Sequence, residues 1–428
     1  MTRKLIIFED ELYENFYPLT YLRPVHMLRP GIRFLHERIS DSFPEYQPHF
    51  FCRPEIADLT RQMCDYPVNT IDEAQTDEII FINARLKIST DLASALMAAG
   101  KNVYLTCRGS VVAIKVIGDL SALEKKNLKI GDLGEFAAEI KKRSELVEIE
   151  VGLYNFLWDL VADIDRTMAE DFEFLRPQIE LRIKQLELMI KEHSVNDVYP
   201  GVHFINPERI YVSSDAEILP GAVLDGSKGP IFIGGRARIE PYTYVIGPLY
   251  LGKESILVGG RIAGSSIGPV CRIGGELEES IIQGYTNKYH AGFIGHSYVG
   301  EWVNFGAMTT NSDLKNNYAA VHVTVGGKER NSGLLKVGAF IGDFTKTAIG
   351  TLLNTGLNVG VCCNLVGLHI VTDREIPSFT WMALGKKSAY EVDKALEVIE
   401  KTMSRRDKSL TPEMKKRLLE LGPKAGAL

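Results

Sequence analysis

Residues 335–371 read LKVGAFIGDFTKTAIGTLLNTGLNVGVCCNLVGLHIV. Leu335, Ile341, Thr347, Leu353, Val359, Leu365 and Val371 stand six apart, and only Thr347 breaks the apolar run. The same step joins Ile233, Ile239, Val245, Leu251 and Leu257, and again Ile267 and Ile273. Glycine often follows directly, as in Ile233-Gly234, Leu251-Gly252, Ile341-Gly342 and Val359-Gly360. A period of six matches neither the helix nor the strand repeat. It predicts a parallel β-helix over about 202–371, each hexapeptide forming one flat side of a triangular coil. The aliphatic residue points inward, and glycine is expected at the corners, where positive φ costs it little. Two interruptions are expected, at 276–290 and at 311–332. Insertions in a solenoid map to loops that often form the binding face.

Before this repeat, about 1–195 alternates short apolar runs with helical patterns, which predicts an α/β domain with a mainly parallel sheet. Lys4-Leu5-Ile6-Ile7-Phe8 and Ile79-Ile80-Phe81-Ile82 read as buried strands, with further strands at 103–105 and 111–114. A helix is expected from Gly31 through Ile39, and another over 89–99 capped by Ser89 or Thr90. Helices are also expected over 120–146, around 151–175 and over 179–193. After 371, stretches near 388–404 and 412–421 read as helices, and this tail is expected to cover the open end of the prism.

At 428 residues the chain has room for two or three domains. A formal charge of −6 argues against a nucleic-acid binder that works through phosphate contacts. Six cysteines, at 52, 64, 107, 271, 362 and 363, show no CxxC or zinc spacing and are expected to be reduced and structural. No apolar run approaches the roughly 20 residues of a membrane span. Lys4–Phe8 is too short and too soon followed by acid for a signal peptide, so the expected location is cytoplasmic.

The loop after the first strand carries Glu9, Asp10, Glu11 and Glu14, and Arg23, Arg29 and Arg33 follow it. Loops after a first strand are where α/β folds place ligands. Three guanidinium forks there suit phosphate, or they pair with Glu9, Asp10 and Glu14. In the prism, His290 lies just before a glycine. A neutral imidazole near pH 7 suits removal of a proton from an amine, although a solvent-facing loop histidine is the plain alternative. His296, six residues on, is expected near the same cleft.

The block His290-Ala291-Gly292-Phe293-Ile294-Gly295, followed by Gly300-Glu301-Trp302-Val303-Asn304-Phe305-Gly306-Ala307, resembles the acetyltransferase half of the bifunctional N-acetylglucosamine-1-phosphate uridyltransferase/glucosamine-1-phosphate acetyltransferase (GlmU-type) enzymes. Those halves are left-handed β-helices. The resemblance implies His290 as general base. It places Asn304, Phe293 and Lys288 at the acceptor sugar, and Ala307, Gly306 and Lys346 at acyl-CoA. Phe293 stands for the usual tyrosine, Glu278 near the place of a sugar-phosphate lysine, and Asn311-Ser312-Asp313 for the usual Asn-Tyr pair.

Pro18-Leu19-Thr20-Tyr21-Leu22-Arg23-Pro24 resembles the stretch after the glycine-rich loop of sugar-1-phosphate nucleotidyltransferases. Here Glu9-Asp10-Glu11 replaces that loop, and Val25-His26 stands where a lysine is expected. Asn83 occupies the place of the metal-binding aspartate. With Leu157-Trp158-Asp159-Leu160, the run from Arg374 to Trp381, and Ser404-Arg405-Arg406, the whole chain resembles a divergent GlmU-like family of sugar nucleotidyltransferases. The implied organisation is a nucleotidyltransferase-like α/β domain over 1–195, a left-handed β-helix over 196–385 and a helical tail over 386–428. The implied chemistry is N-acetylation of an amino-sugar-1-phosphate from acetyl-CoA, and nucleotidyl transfer from UTP or dTTP. Arg23, Arg29, Arg33 and Asn83 would then face the nucleotide, and Asp10 would hold Mg²⁺. Partners would be a sugar phosphate, a nucleoside triphosphate and two further copies in a homotrimer, with no nucleic acid and no membrane. Two alternatives remain open: an acyltransferase whose first domain only senses a nucleotide or sugar, and a non-enzymatic assembly scaffold.

Overall fold

A computed structural model describes residues 2–70, 76–118, 140–142, 144–189, 199–367 and 370–423. The continuous apolar run at the start forms β1 (Thr2–Phe8), whose Leu5, Ile6 and Ile7 are fully buried, as a central strand covered on both faces requires. With β2 (Gln47–Phe51), β3 (Thr76–Asn83), β4 (Val103–Cys107), β5 (Ser110–Ile117) and β6 (Glu145–Glu148) it makes one sheet in the order β2-β1-β3-β5-β4-β6. β1 runs parallel to β2 and β3, whereas β5 is antiparallel to both its neighbours. The sheet is therefore mixed rather than mainly parallel. The cause is local: Arg108 and Gly109, both at positive φ, form the two-residue turn that folds β4 onto β5.

The first helix starts later than expected, as α1 (Leu35–Asp41), with Phe34 in extended conformation just before it. α2 (Pro54–Met63) was not expected, and α3 (Thr90–Ala98) has Ser89 as its cap, with Oγ accepting the Leu92 N–H at 3.3 Å. α4 (Leu157–Ala162) is followed by α5 (Ile164–Met189), which runs on through Pro177 where two helices were expected. The helix expected over 120–146 lies mostly outside the described residues.

From His203 the chain winds as a parallel β-solenoid of the left-handed β-helix class, its turns 20 or 21 residues in the first coils, 15 at Arg272–Asn287 and 17 or 18 in the last coils. On the first face Ile281, Tyr298, Phe340, Asn358 and Glu375 stack in neighbouring coils. On the second face the outward row is Arg272, Asn287, Asn304, Lys346, Asn364 and Trp381. On the third it is Phe293, then Thr310, Leu352 and Ile370. The aliphatic residues of the six-step come from all three faces and meet in one buried core that includes Ile233, Leu251, Ile273, Ile294, Ile341, Val359 and Val371.

The glycines that follow them are not left-handed corners. A Cβ on Gly268 would lie 2.0 Å from the Gln283 carbonyl oxygen, and one on Gly360 would lie 2.4 Å from the Ser378 nitrogen, so these residues allow coils to stack closely. The corner itself is taken by bulky residues at positive φ: Val270, Tyr285, Trp302, Phe344, Cys362 and Phe379. That geometry costs an L-residue roughly 1–2 kcal/mol. Burial offsets it, because Trp302, Phe344, Cys362 and Phe379 pack against Leu22, Leu59 and the C-terminal helices.

Three elements depart from expectation. Residues 276–290 are regular coil, with strands at Arg272–Glu278, Ile281–Gly284 and Asn287–Lys288. The 311–332 insertion is a hairpin, His322–Val325 against Lys328–Asn331. It is not an open binding loop, because Val321, Val323 and Val325 join the core of the N-terminal domain together with Ile281, Tyr298 and Phe340 of the prism's first face. The tail does not cap the prism end either. α6 (Val392–Ser404) lies along the corner column through Ala395, Leu396, Ile399 and Met403, and α7 (Pro412–Leu421) buries Leu418 in the same cluster. The last coil ends instead in an antiparallel hairpin, Thr380–Ala383 with Lys386–Ala389. Among the described residues no helix is long and apolar enough to cross a membrane. Five of the six cysteines are buried and all are free, as a structural role requires.

Candidate functional site

His290 sits at the corner between the second and third faces, between the strand ending at Lys288 and the one beginning at Phe293. Its ring is exposed and meets the edge of Tyr289, at 5.3 Å between centroids. The next coil brings Gly306-Ala307-Met308 to the same corner, where the Met308 N–H donates to the Ala291 carbonyl at 2.7 Å. The coil after that follows suit, the Gly350 N–H donating to the Ala307 carbonyl at 2.8 Å. Gly306 has a packing reason to be glycine, since a Cβ there would lie 2.4 Å from the Ala348 carbonyl carbon. Phe293 opens the third face one step from His290. The structure thus brings His290, Phe293, Gly306 and Ala307 to one edge of the prism. Beside that edge Met308, Ile349, Leu352 and Ile370 are exposed, which makes an uncovered apolar ridge.

Three implied sugar and acyl-CoA residues lie elsewhere. Lys288 points into the prism and is buried. Its ammonium donates to the carbonyls of Gly274 (2.6 Å), Gly292 (2.8 Å) and His290 (3.3 Å), and burial pulls its pKa down to about 8. It braces the His290 corner from inside and cannot reach a sugar outside. Asn304 and Lys346 are neighbours on the second face, not at the corner. The Asn304 Oδ1 accepts from Asn287 Nδ2 at 2.8 Å, and Lys346 donates to the Phe344 carbonyl at 3.3 Å, with its pKa lowered by burial.

His296 is not in the His290 cleft. It occupies the corner between the third and first faces, with Nδ1 2.8 Å from Asp313 Oδ2 and Nε2 2.9 Å from Glu279 Oε2. Burial pulls its pKa down, but the two carboxylates outweigh that and raise it to about 9. It borders a cavity of about 480 Å³ between the prism and α4, lined by Trp158, Leu314, Tyr318 and Lys336 among others.

In the N-terminal domain the three arginines do not converge on a phosphate site. Arg23 is buried against the prism, with Nη2 2.8 Å from Asp343 Oδ1 and 3.3 Å from Glu301 Oε2. Arg29 is buried with its guanidinium 4.0 Å from the Phe34 ring centroid, and it donates to the Ile32 carbonyl. Arg33 pairs with Asp171 and Asp41, each at 2.8 Å, and lies over Phe174. Each guanidinium is committed to the interior it helps to build, with Arg23 Nη1 and Arg29 Nε buried and without a hydrogen-bond partner among the described residues. Pairing with the loop acids was the other expectation, and it also fails: Glu9 binds Arg53 at 2.7 Å and Asp10 binds Arg85 at 2.6 Å.

Arg85 is the residue that sequence reasoning missed. It is fully buried at the carboxyl end of β3. It donates to both Asp10 oxygens, to the Tyr154 carbonyl at 3.0 Å, to Asn155 Oδ1 at 2.9 Å and to Ser110 Oγ at 3.2 Å. Asn83 completes the set, its Nδ2 donating to Asp10 Oδ2 and to the Val111 carbonyl, each at 2.9 Å, while its Oδ1 accepts the Arg85 N–H at 2.9 Å. Asp10 also accepts the Leu12 N–H as a helix cap. A magnesium ion needs oxygen ligands with free lone pairs. Here the carboxylate is ringed by donors and the amide oxygen is taken, so Asp10 and Asn83 do not fit Mg²⁺ and Asn83 does not face a nucleotide. The only sequence signal was Arg85 itself, two residues beyond the strand-end Asn83.

Residues 5–179 match the family model described as sugar nucleotidyl transferase. A bifunctional sugar-1-phosphate nucleotidylyltransferase/acetyltransferase of Sulfurisphaera tokodaii is 29% identical over 50% of this chain and 56% of its own length. The bifunctional protein GlmU of Methanocaldococcus jannaschii is 30% identical over 35% of this chain and 31% of its own. That of Streptococcus pyogenes serotype M18 is 31% identical over 38% and 40%. The chain thus spans about half, or less, of the length of the curated relatives it matches.

Proposed function

We propose, from the premise that this chain is a divergent relative of the GlmU-like bifunctional sugar-1-phosphate nucleotidyltransferase/acetyltransferase proteins, that it is a transferase whose prism N-acetylates an amino-sugar-1-phosphate. The observation that carries the reading is the His290 corner: an exposed imidazole with no carboxylate partner among the described residues, on a rigid edge beside Phe293, Gly306 and Ala307. The cosubstrate is acetyl-CoA, and glucosamine-1-phosphate is the acceptor the relatives suggest. As the amine nitrogen forms its bond to the thioester carbonyl carbon, His290 takes the amine proton. Negative charge grows on the carbonyl oxygen, and in this reading the Ala307 backbone amide donates to it. The C–S bond then breaks and the thiolate takes up the proton. Lys288, bonded beneath to the carbonyls of His290 and Gly292, keeps the base in place. The apolar ridge of Ile349, Leu352 and Ile370 suits burial by a second prism, so the working form is a homotrimer with acyl-CoA between neighbours.

The N-terminal domain has the fold for nucleotidyl transfer from UTP or dTTP to the sugar phosphate, and the bifunctional reading includes that step. With its oxygens held by Arg85 and Asn83, Asp10 does not fit the metal-ligand role in that step. The saturated Arg85–Asp10–Asn83 cluster favours a second reading, in which this domain binds a nucleotide or sugar phosphate without transferring a nucleotidyl group. One assay separates them. Purified protein is given glucosamine-1-phosphate, acetyl-CoA, UTP and Mg²⁺, and free thiol and pyrophosphate are followed separately. Release of both products supports the two-step enzyme; thiol alone supports the sensing domain. His290→Ala should lower thiol release by about 10²–10⁴-fold. Full activity in that variant would remove His290 as base, and no product from any amino-sugar phosphate would favour the scaffold.

A further inference from the structure

α6 ends in Ser404-Arg405-Arg406, a run the acyl-transfer chemistry does not use. Its apolar side is fixed on the corner column, so its last turn is held against the second face of the prism. There Arg405 and Arg406 border a cavity of about 110 Å³ whose other walls include Tyr285, Trp302, Asn287 and Asn304. Arg272, one coil below Asn287 on the same row, is close enough to Arg406 for the two charges to oppose each other.

Most arginines described in this chain lie within 4 Å of a carboxylate. None of Arg272, Arg405 and Arg406 does so among the described residues. Arg272 donates through one nitrogen, Nη1, to the Glu254 and Cys271 carbonyls at 2.9 Å, and among the described residues the Arg406 guanidinium donates only to the Arg405 carbonyl at 3.3 Å. Basic residues in a last helical turn have an ordinary explanation, attraction to the negative end of the helix dipole. That accounts for Arg405 and Arg406 but not for Arg272, which a different element brings to the same place. Asn304 adds a donor: its oxygen is taken by Asn287, which leaves its amide N–H groups for the cavity. The described residues that line the space include two arginines and no acid, with Arg272 one coil away and Glu254 and Glu301 behind the wall; such a lining calls for an oxyanion, and guanidinium forks favour one that offers paired oxygens.

We propose that this seam between the C-terminal helix and the second face is a phosphate-monoester site, built by Arg272, Arg405, Arg406 and Asn304. The cavity holds one phosphate group, so the rest of the molecule lies outside it. The site stands apart from the His290 corner and does not depend on either transferase activity. It gives the helical tail a task, because a bound phosphate ties the end of α6 to the prism.

The test is thermal unfolding and calorimetric titration of the full chain with inorganic phosphate, glucosamine-1-phosphate and coenzyme A, at matched ionic strength, with chloride as control. Wild type should melt higher with phosphate. The double variant Arg405→Gln/Arg406→Gln should bind at least about tenfold more weakly, a loss of about 1.4 kcal/mol. Lys401→Gln, an exposed charge removed from the same helix, should bind as wild type does. Without phosphate the double variant should melt no lower than wild type, because unpaired like charges have been removed. Tighter binding of one ester than of inorganic phosphate identifies the source; equal binding identifies free phosphate. The proposal fails if phosphate raises the melting temperature equally in the double variant, if Lys401→Gln weakens binding as much, or if no phosphate compound binds.

Discussion

The carboxyl edge of the N-terminal sheet and the His290 corner of the prism both carry polar side chains beside strand ends, and they reach opposite states. At the sheet edge the polar side chains have found partners in one another: the Arg85 guanidinium has four acceptor groups, and Asp10 and Asn83 are bonded to donors and to each other. At the prism corner the imidazole faces solvent while the backbone around it is locked coil to coil. A buried polar cluster with no open valence builds structure, whereas chemistry needs a free valence on a rigid support. The sharpest way to break the comparison is Arg85→Ala, which leaves Asp10 charged and without its guanidinium. The expected cost is about 3–5 kcal/mol in urea unfolding, with thiol release per folded molecule unchanged. A loss under about 1 kcal/mol would mean the cluster is not structural.

Lys288 tests the same division inside the prism. Its ammonium serves three carbonyls, so Lys288→Met should destabilise by about 1.5–3 kcal/mol, the range for charged hydrogen bonds. If instead stability holds and the KM for glucosamine-1-phosphate rises, Lys288 touches the sugar after all.

The prism was legible because its repeat is local: the inward column is set by residue type every six positions, whatever packs outside. The edge block was legible for a similar reason, since Phe293, Gly306 and Ala307 return to the His290 corner by the coil period alone. Partners far apart in sequence were not legible. Arg23 meets Asp343 across 320 residues, and Arg33 meets Asp171 across 138. A cluster of arginines after a first strand looks the same in sequence whether it awaits a phosphate or another part of its own chain. The hairpin at 322–331 misled similarly, because its polar residues are visible in the sequence while Val321, Val323 and Val325 turn inward. Glycine misled in another way: it permits both positive φ and close approach, and only the packed coils show that Gly268 and Gly360 serve the second.

His296 offers a third test, through pH. Its pKa is raised to about 9 from 6.5, so its contribution is complete below about 6.5 and is lost as pH rises through about 9. Asp313 and Glu279 have lowered values, the first despite burial and the second chiefly through the His296 hydrogen bond, so their share is lost as the solution becomes acidic. Stability from this triad is therefore greatest in mildly acidic solution. Glu279 is half exposed, and solvent reduces the gain to about 1–2 kcal/mol. His296→Gln should flatten the loss between neutral pH and about 9 while leaving thiol release intact. An unchanged stability profile would show that the triad is not formed in solution.

The smallest expected change in monomer stability is also the most informative about the open edge. Leu352 and Ile370 are neighbours on the third face, 39% and 55% exposed. Replacing both with glutamine removes no buried contact within the chain, so unfolding of the isolated subunit should move by no more than about 0.5 kcal/mol. If this ridge is where a second prism lies, the same change must act on association instead: light scattering should show the trimer giving way to monomer, and thiol release should fall with it, since the acyl-CoA site would lose one wall. A variant that stays trimeric moves the interface to another face. A variant that becomes monomeric yet keeps full activity keeps the interface and removes the neighbour from catalysis. In both cases the His290 corner would have to hold acetyl-CoA within a single subunit, and the free valence of that corner alone would carry the reaction.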